Sequence, residues 1–143
     1  MSGSWILADN NVVYWSTTRS MARFGLLALN NGNWDGATII NPTFFQEATN
    51  SSQAINNSYG YLWWLNGKTS YHLPQSQFEF PGSLIPSAPK DTYCALGKND
   101  QKIYVVPSKK LVVIRMGNAA DNANAALSDF DDVLWQKINA VIN

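Results

Sequence analysis

The sequence predicts an α+β fold in which an antiparallel sheet packs against helices, and two features of the pattern indicate it. Three short runs rich in aromatic and β-branched residues follow one another between Asp91 and Gly117, separated by two polar turns. Helical patterns lie before and after these runs and do not alternate with them, which favours α+β over a β-α-β arrangement. A chain of 143 residues is long enough for one domain with its own core.

The N-terminal third is predicted to be mainly helical. Residues 1–15 show no regular period, and we expect an irregular segment there. Its packing anchors would be three aromatic residues, Trp5, Tyr14 and Trp15. A helix is predicted from about Arg19 to Leu29, because apolar residues recur along one side and hydroxyl residues precede it as candidate N-caps. Asn31-Gly32 ends this helix, and a second helix is predicted from Pro42 to about Asn50.

An aromatic run from Tyr59 to Leu65 predicts a strand, which Asn66-Gly67 closes as a turn. Successive side chains of a strand point to opposite faces, so Trp63 and Trp64 are expected on different sides of the sheet. One of them would then belong to the core and the other to a substrate cleft. We assign Trp63 to the cleft.

The later part of the chain is predicted to hold a loop, the meander and a last helix. The stretch from Thr69 to Lys90 has four prolines and no clear period, so we expect a long ordered loop with one short strand at Gln77–Phe80. The last meander strand, Leu111 to Met116, is nearly all apolar, which predicts that both its faces are covered. Ser128 then caps the final helix, with Asp131 three residues on. Six residues are predicted to form its apolar face: Phe130, Val133, Leu134, Ile138, Val141 and Ile142.

Composition argues against several classes of function. Charged residues make up 14% of the chain and the formal net charge is zero, so a nucleic-acid partner is not expected. No apolar run reaches the ~18 residues that a membrane span needs, and the N-terminus lacks the pattern of a signal peptide. One histidine, His72, and one cysteine, Cys94, predict neither a metal site nor an internal disulfide. We expect no cofactor, and we interpret Cys94 as a buried small hydrophobe.

Three motifs, in order along the chain, resemble the β-lactamase-related serine hydrolases. Arg19-Ser-Met-Ala-Arg-Phe-Gly25 resembles a helix motif of that family, and the Tyr59–Leu65 run resembles its aromatic Tyr-Gly-Tyr-Leu-Trp-Trp-Leu strand. Gly97 to Pro107 resembles its strand pair, G-x-x-G-Q followed by an apolar strand that ends in proline. The branch that looks most similar contains esterases and 6-aminohexanoate-dimer hydrolases, beside class C β-lactamases and penicillin-binding proteins.

The resemblance covers nearly the whole chain and implies a place in a larger fold. Residues 1–143 would be the C-terminal portion of a β-lactamase/transpeptidase-like domain, an antiparallel sheet with a C-terminal helix packed on it. Within it, residues 1–58 would form a helical segment and residues 59–143 the sheet and terminal helix.

The resemblance also implies a nucleophile that this sequence lacks. The family works through a serine and a lysine one helical turn apart, S-x-x-K, assisted by the tyrosine of a Y-x-N motif. Ser87-Ala-Pro-Lys90 has the spacing, but Pro86 and Pro89 oppose the helix that the motif requires. Tyr14-Trp-Ser16 lies too close to the later motifs to match the family's order. We interpret both as chance matches.

The family's third motif is the part of its active site that this chain resembles. Ala95-Leu96-Gly97 stands where the family has K-T-G, H-x-G or looser forms that end in glycine. Loss of the lysine and threonine argues against classical β-lactam recognition. The family's oxyanion hole uses the N–H of the residue after this glycine, which is Lys98 here, and such a donor is worth roughly 3–4 kcal/mol. The resemblance thus implies catalytic roles for Gly97 and the Lys98 N–H, and substrate contacts for Ala95, Leu96 and Trp63.

The function implied is that of a serine hydrolase segment acting on an ester, amide or β-lactam through an acyl-enzyme. Without its nucleophile the chain is expected to be inactive alone. Its partner would be the missing N-terminal part of the same enzyme, or a second copy of the chain. Two other classes stay open, a non-catalytic binding module and an assembly unit derived from the fold. The resemblance is also compatible with a periplasmic or cell-envelope location, although the sequence does not fix the compartment.

Overall fold

The computed structural model describes residues 2–8, 11–120 and 127–142, and its central feature is a four-stranded antiparallel sheet. The strands in these residues are β1 Gly3–Ala8, β2 Asn11–Ser16, β3 Asn33–Trp34, β4 Ala37–Thr38, β5 Trp64–Leu65, β6 Ser70–His72, β7 Glu79–Pro81, β8 Tyr93–Gly97, β9 Gln101–Val106 and β10 Leu111–Arg115. The helices are α1 Thr18–Leu29, α2 Pro42–Ala48 and α3 Phe130–Ile142. Separate helices around antiparallel strands make this an α+β fold, as predicted.

The predicted meander forms most of the central sheet, whose strand order is β10-β9-β8-β5. Side chains of β10 alternate between two apolar clusters on opposite faces. Val112 and Ile114 pack with the cluster beneath α1, whereas Leu111 and Val113 pack with the cluster that contains Trp135 of α3. The prediction that both faces of this strand are covered is therefore confirmed.

Helix α1 covers one face of the sheet, at the predicted position. The Thr17 hydroxyl caps its start by accepting an amide hydrogen bond from the first turn. Gly25 faces β10, and a Cβ placed there would lie 2.4 Å from Val112 Cγ1, so the glycine allows the helix to approach the strand closely. Gly32, with φ +82°, takes the left-handed position just beyond the helix. Helix α2 begins at its predicted proline.

Helix α3 covers the opposite face, but it is rotated from the predicted orientation. Trp135 is fully buried and meets the Tyr104 ring edge-on at 5.6 Å, and Asp131 is buried beside it. Three residues that were expected to face the core are exposed, Val133 at 51%, Val141 at 82% and Ile142 at 38%. The prediction is wrong at these three positions because a charged residue, Asp131, points inward here. A prediction made from the apolar residues alone leaves such a buried charge out.

The described residues 2–8 and 11–16 are not irregular, since β1 and β2 pair in an antiparallel arrangement. Trp5 and Trp15 are 70% and 62% exposed, so the prediction that they anchor the core is wrong. A second hairpin, β3 with β4, lies between α1 and α2, where Asp35 and Gly36 have positive φ as expected of a two-residue turn. The segment 1–58 therefore contains two hairpins as well as its two helices.

The aromatic run Tyr59–Leu65 does not form one continuous strand, contrary to the prediction. Leu62 has φ 64°, and the Gly60 N–H donates to the Trp63 carbonyl at 2.8 Å, so the run folds back on itself. Only its last two residues enter the sheet, as β5. A Cβ at Gly60 would lie 2.1 Å from the Ala48 carbonyl oxygen, which shows how closely the end of α2 packs here. Tertiary packing overrides the strand propensity of the run.

The loop from Thr69 to Lys90 contains a short hairpin, β6 with β7. Its second strand lies at Glu79–Pro81, shifted from the predicted Gln77–Phe80. Asn66 fixes the rest of the loop: its buried side chain donates to the Ile85 carbonyl at 3.0 Å and accepts from the Ile85 N–H at 2.9 Å. Asn66 therefore does more than form the predicted turn.

Candidate active site

A cavity of about 350 Å³ opens beside the end of β8, where the chain turns into β9. Its walls are mostly apolar and aromatic, and they comprise Met21, Tyr59, Leu62, Trp64, Ala95, Leu96, Gly97, Gln101, Lys102, Ile103 and Met116. Three residues of the predicted site, Ala95, Leu96 and Gly97, thus lie together at this cavity. Lys98 follows them directly and begins a three-residue turn, Lys98–Asp100, that leads into β9.

The edge of β8 is open along this cavity. Strand β5 pairs only with Tyr93 and Cys94, so within the described residues no strand continues the ladder beside Leu96. The Asn66 N–H donates to the Thr92 carbonyl at 2.9 Å, which fixes the alternation of the strand. Thr92, Cys94 and Leu96 share this parity, and their main-chain groups therefore point to the β5 side. Leu96 presents its N–H and C=O towards the uncovered edge.

The alternation carries on to Lys98. Gly97 is extended, with φ −113° and ψ 168°, so the peptide bond to Lys98 continues the direction of the strand. The Lys98 N–H then points to the same side as that of Leu96. It lies outside the β8–β9 ladder, whose last pair is Gly97 with Gln101.

Glycine at position 97 provides room and not an unusual backbone angle, because any residue can adopt an extended φ. A Cβ placed there would meet the Gln101 carbonyl oxygen at 3.3 Å, a mild crowding. Gly97 therefore places no side chain at the end of the strand where the cavity lies.

The two neighbouring tryptophans are both buried, and Trp64 is the one that lines the cavity, contrary to the assignment of Trp63 to the cleft. Trp63 is buried in the core beneath α1, with the Tyr93 ring edge-on at 5.2 Å and the Phe45 ring at 6.1 Å. Trp64 points to the other face, as strand alternation predicts, and lines the cavity together with Tyr59. The rings of Trp64 and Tyr59 meet edge-on at 4.7 Å. Trp64, and not Trp63, is therefore the tryptophan of the candidate site.

A buried ionic cluster lies directly behind the turn that carries Lys98, and sequence reasoning missed it. Lys102 Nζ lies 2.9 Å from Asp131 Oδ2 and 3.1 Å from Asp100 Oδ1, with all three side chains almost completely buried. The Tyr104 hydroxyl also donates to Asp131. The sequence feature that could have indicated the cluster is Lys102 itself, a lysine in β9 next to the apolar run that follows it. A charge that is buried with such a strand requires oppositely charged or hydrogen-bonding partners.

The electrostatics of this cluster favour a fixed ionic structure. Burial by itself would raise the pKa of Asp100, but hydrogen bonds from the Ala120 N–H, Lys102 and Ser128 outweigh it and lower that pKa. Burial, and next the charge of Asp131, raise the pKa of the Tyr104 hydroxyl. Asp100 therefore stays ionised and Tyr104 stays protonated near neutral pH, which suits a structural role better than proton transfer.

The S-x-x-K spacing at Ser87 is a chance match in the fold as well. Ser87 lies in a turn with no helix at its position. Its N–H donates to Asp132 Oδ1 at 2.6 Å and its carbonyl accepts from Asn139 Nδ2 at 2.7 Å, so it joins the loop to α3. Tyr14 lies in β2, where its ring packs on Trp5 at 4.8 Å.

The remaining reactive side chains have structural settings. Cys94 is fully buried, and burial together with the Asp131 charge raises the pKa of its thiol, as expected of a small core residue. His72 lies half-buried in β6. Among the described residues, no group of three or more histidine, cysteine, aspartate or glutamate side chains could hold a metal ion.

The arrangement offers main-chain donors beside an apolar pocket. Two N–H groups, of Leu96 and Lys98, point to the open edge of β8, and aromatic and aliphatic side chains form the walls. No serine, threonine, cysteine or histidine lines the described cavity. These residues can hold a carbonyl group and stabilise negative charge on its oxygen, but they do not supply the attacking atom.

Comparison with known proteins supports this picture at the level of the fold. The sequence matches no protein-family model and no curated protein sequence. Six chains of solved structures match, among them a Bacillus anthracis protein assigned as a 6-aminohexanoate-dimer hydrolase, with a TM-score of 0.58 and 21% identity. The chain shares the fold of one part of this hydrolase.

The match covers 94% of this chain and 32% of the hydrolase, so the chain spans about a third of its neighbour's length. The likeness therefore relates nearly all of the architecture described above to one part of a larger structure. No helix in the described ranges is both long and apolar enough to cross a bilayer.

Proposed function

We propose that this chain forms one wall of the active site of a serine hydrolase that cleaves an ester, amide or β-lactam through an acyl-enzyme. The observation that carries the proposal is the open edge of β8 beside an apolar cavity. The alternation of the strand supports it, because it directs the N–H groups of Leu96 and Lys98 to that edge. This edge coincides with the position of the family's third motif. The hydrolase that shares part of its fold with this chain supports a hydrolase origin, but only at the level of the fold.

The reaction would divide its parts between this chain and a segment that bears the nucleophile. A serine hydroxyl of that segment attacks the substrate carbonyl, and a lysine and a tyrosine there move its proton to the leaving group. The carbonyl oxygen gains negative charge as the bond forms, and the Lys98 N–H donates to it. Water then cleaves the acyl-enzyme and restores the serine.

The cavity walls favour an uncharged substrate over a classical β-lactam. Ala95 and Leu96 replace the lysine and threonine of K-T-G, and the lysine that reaches the cavity, Lys102, has its ammonium buried against two carboxylates. A carboxylate on the substrate would find no side-chain cation matched to it in this lining. We therefore expect ester and amide substrates with apolar groups to be the better ones.

The test uses the product of the whole open reading frame that encodes this chain, assayed with p-nitrophenyl esters. Lys98→Pro removes the proposed donor and should lower kcat by about 10²–10³-fold. Its preceding residue, Gly97, is already extended, as proline requires. Lys98→Ala is the matched control, since it changes the side chain but keeps the N–H, and its kcat should stay near that of the wild type.

Two results would count against the proposal. Equal kcat values for Lys98→Pro and Lys98→Ala would remove Lys98 from the oxyanion hole. A reading frame without S-x-x-K and Y-x-N, and without esterase activity, would favour the non-catalytic binding module. The 143-residue chain alone provides the background, and it should not turn over the ester.

The partner of this chain is proposed to be the nucleophile-bearing part of the same enzyme, or a second copy. The β1–β2 hairpin supports a partner, because Trp5, Leu7, Val12 and Trp15 are each more than 60% exposed. Exposed apolar side chains on a hairpin with free edges are a surface on which another chain can pack.

This surface predicts self-association of the 143-residue chain at micromolar concentration. Sedimentation velocity should show dimers or larger species, and the double variant Trp5→Ser/Trp15→Ser should shift the distribution towards the monomer. Trp34→Ser serves as the control, since Trp34 lies on the separate β3–β4 hairpin and is 39% exposed. A monomer with a cooperative melt and no dye-binding apolar surface would contradict the prediction and indicate a self-sufficient domain.

A further inference from the structure

The turn that carries Lys98 has an unusual backbone. Asn99 and Asp100 both occupy the left-handed region, with φ of 57° and 56°. This conformation is unfavourable for most residues other than glycine, although asparagine and aspartate adopt it more readily than the rest, and it persists where the surrounding structure holds it. Glycine would take the same φ without strain, so the contacts of the Asp100 side chain decide whether the aspartate has a role here.

The Asp100 carboxylate holds the turn from three directions. Its Oδ1 accepts from Lys102 Nζ at 3.1 Å and from the Ser128 hydroxyl at 3.0 Å, and its Oδ2 accepts from the Ala120 N–H at 2.9 Å. These partners come from β9, from the residues before α3 and from the segment after β10. Since Asp100 is fully buried, water does not compete for these bonds.

The carbonyl groups of the turn are held as well. Asn99 O accepts from Gln101 Nε2 at 2.7 Å and from Arg115 Nη1 at 3.1 Å, and Arg115 Nη1 also lies 3.2 Å from Asp100 O. Lys102 continues the connection to Asp131 of α3 at 2.9 Å. The turn is therefore fastened at both its side chain and its main chain to elements on one face of the sheet.

We infer that Asp100 is a positioning residue, whose buried carboxylate fixes the direction of the Lys98 N–H. Lys98 begins the same three-residue turn that Asp100 ends. Without the contacts of the Asp100 carboxylate, the Lys98 peptide group could therefore rotate away from the cavity edge. Such a rotation would lower the rate of catalysis, because a hydrogen-bond donor stabilises the transition state only when it points to the developing charge. The catalytic consequence rests on the proposed role of Lys98, whereas the positioning itself does not.

The test of positioning uses this chain and measures the backbone order parameter of Lys98 by ¹⁵N relaxation. We expect a value of about 0.85 in the wild type and below about 0.6 in Asp100→Gly, which relieves the strained φ but removes the carboxylate. Asp100→Asn keeps the shape of the side chain, but its NH₂ group would face one of the three donors that the carboxylate now accepts from. This variant should therefore also lower the Lys98 order parameter. Asp91→Asn is the matched control, since Asp91 holds Ser108 at the other turn of the meander.

An unchanged Lys98 order parameter in both Asp100 variants would overturn the inference. The full reading-frame product then separates this outcome from a failure of the proposed function. If positioning serves catalysis, kcat should fall by ~10–100-fold in Asp100→Gly with little change in KM, and Asp91→Asn should leave both constants unchanged. A lower order parameter with an unchanged kcat would support the positioning role and reject Lys98 as the oxyanion donor.

Discussion

Replacing Lys102 with methionine should lower the free energy of unfolding at pH 7 by about 3–5 kcal/mol, because it leaves two buried carboxylates without their shared cation. Both partners lie within 3.1 Å of the ammonium and have almost no exposed surface. Methionine fills much of the same volume, so the loss would report the charge and not a cavity. Chemical denaturation measured by circular dichroism gives the value directly.

The effect should depend on pH with a definite sign. In the wild type the pKa of Asp100 is lowered, so its contribution to stability is present above its unfolded pKa and disappears as the pH falls through the folded one. Without Lys102 the Asp100 carboxylate is desolvated and lies near the second carboxylate without a cation between them, which raises its folded pKa. Lowering the pH from 7 to 5 should therefore narrow the difference between wild type and Lys102→Met.

Two variants control this experiment. Lys109→Met changes an exposed lysine at the β9–β10 turn and should alter stability by less than about 0.5 kcal/mol. The double variant Lys102→Met/Asp131→Asn should lose less free energy of unfolding than the sum of the losses in the two single variants. The reason is that Asp131→Asn removes one of the two carboxylates that Lys102→Met leaves without a cation. Strict additivity in this cycle, or a pH-independent difference, would mean that the three groups do not act as one ionic cluster.

The sheet and the site edge follow from local sequence patterns. The meander was predictable because its strands are short apolar runs separated by polar turns, and each strand pairs with its neighbour in the chain. Helices α1 and α2 were predictable from their caps and stop signals. Ala95, Leu96 and Gly97 line one cavity together because they follow each other on one strand, while their roles stay a prediction.

What the sequence concealed depends on contacts between distant residues. Lys102 and Asp131 are 29 positions apart, so nothing local shows that they meet inside the fold. The β1–β2 hairpin has apolar side chains on both faces. Its sequence therefore lacks the alternation of apolar and polar residues that marks a half-buried strand, and an irregular segment was predicted instead. The Tyr59–Leu65 run has strong strand propensity, but its close contact with the end of α2 bends it.

The assignment of Trp63 shows how alternation alone leaves a choice open. Strand geometry placed Trp63 and Trp64 on opposite faces but could not say which of the two rings borders the cavity. Both faces of the sheet are packed, and both rings are buried. The structure packs α1 and α2 residues on Trp63, whereas Trp64 belongs to the other cluster and also lines the cavity.

Trp63→Ala should lower the free energy of unfolding by about 3–5 kcal/mol, as expected for a large aromatic side chain removed from a packed core. Trp63 is 7% exposed, and its ring lies between 5.2 and 6.2 Å from those of Tyr93, Phe45 and Phe24. The melting temperature should fall by roughly 6–20 °C, given ~2–4 °C for each kcal/mol in a chain of this size. Differential scanning calorimetry at low protein concentration measures it without interference from self-association.

Trp15→Ala is the matched comparison, since it removes the same side chain from a position that is 62% exposed. Its effect on the monomer should stay within about 0.5 kcal/mol, although the sequence predicted Trp15 to be a packing anchor and assigned Trp63 to the cleft. A further contrast separates the core from the site. Trp64→Phe should change the KM of the full reading-frame product for aromatic esters, whereas Trp63→Phe should change stability and leave KM alone. A KM effect confined to Trp63→Phe would restore Trp63 to the substrate cleft and remove Trp64 from it.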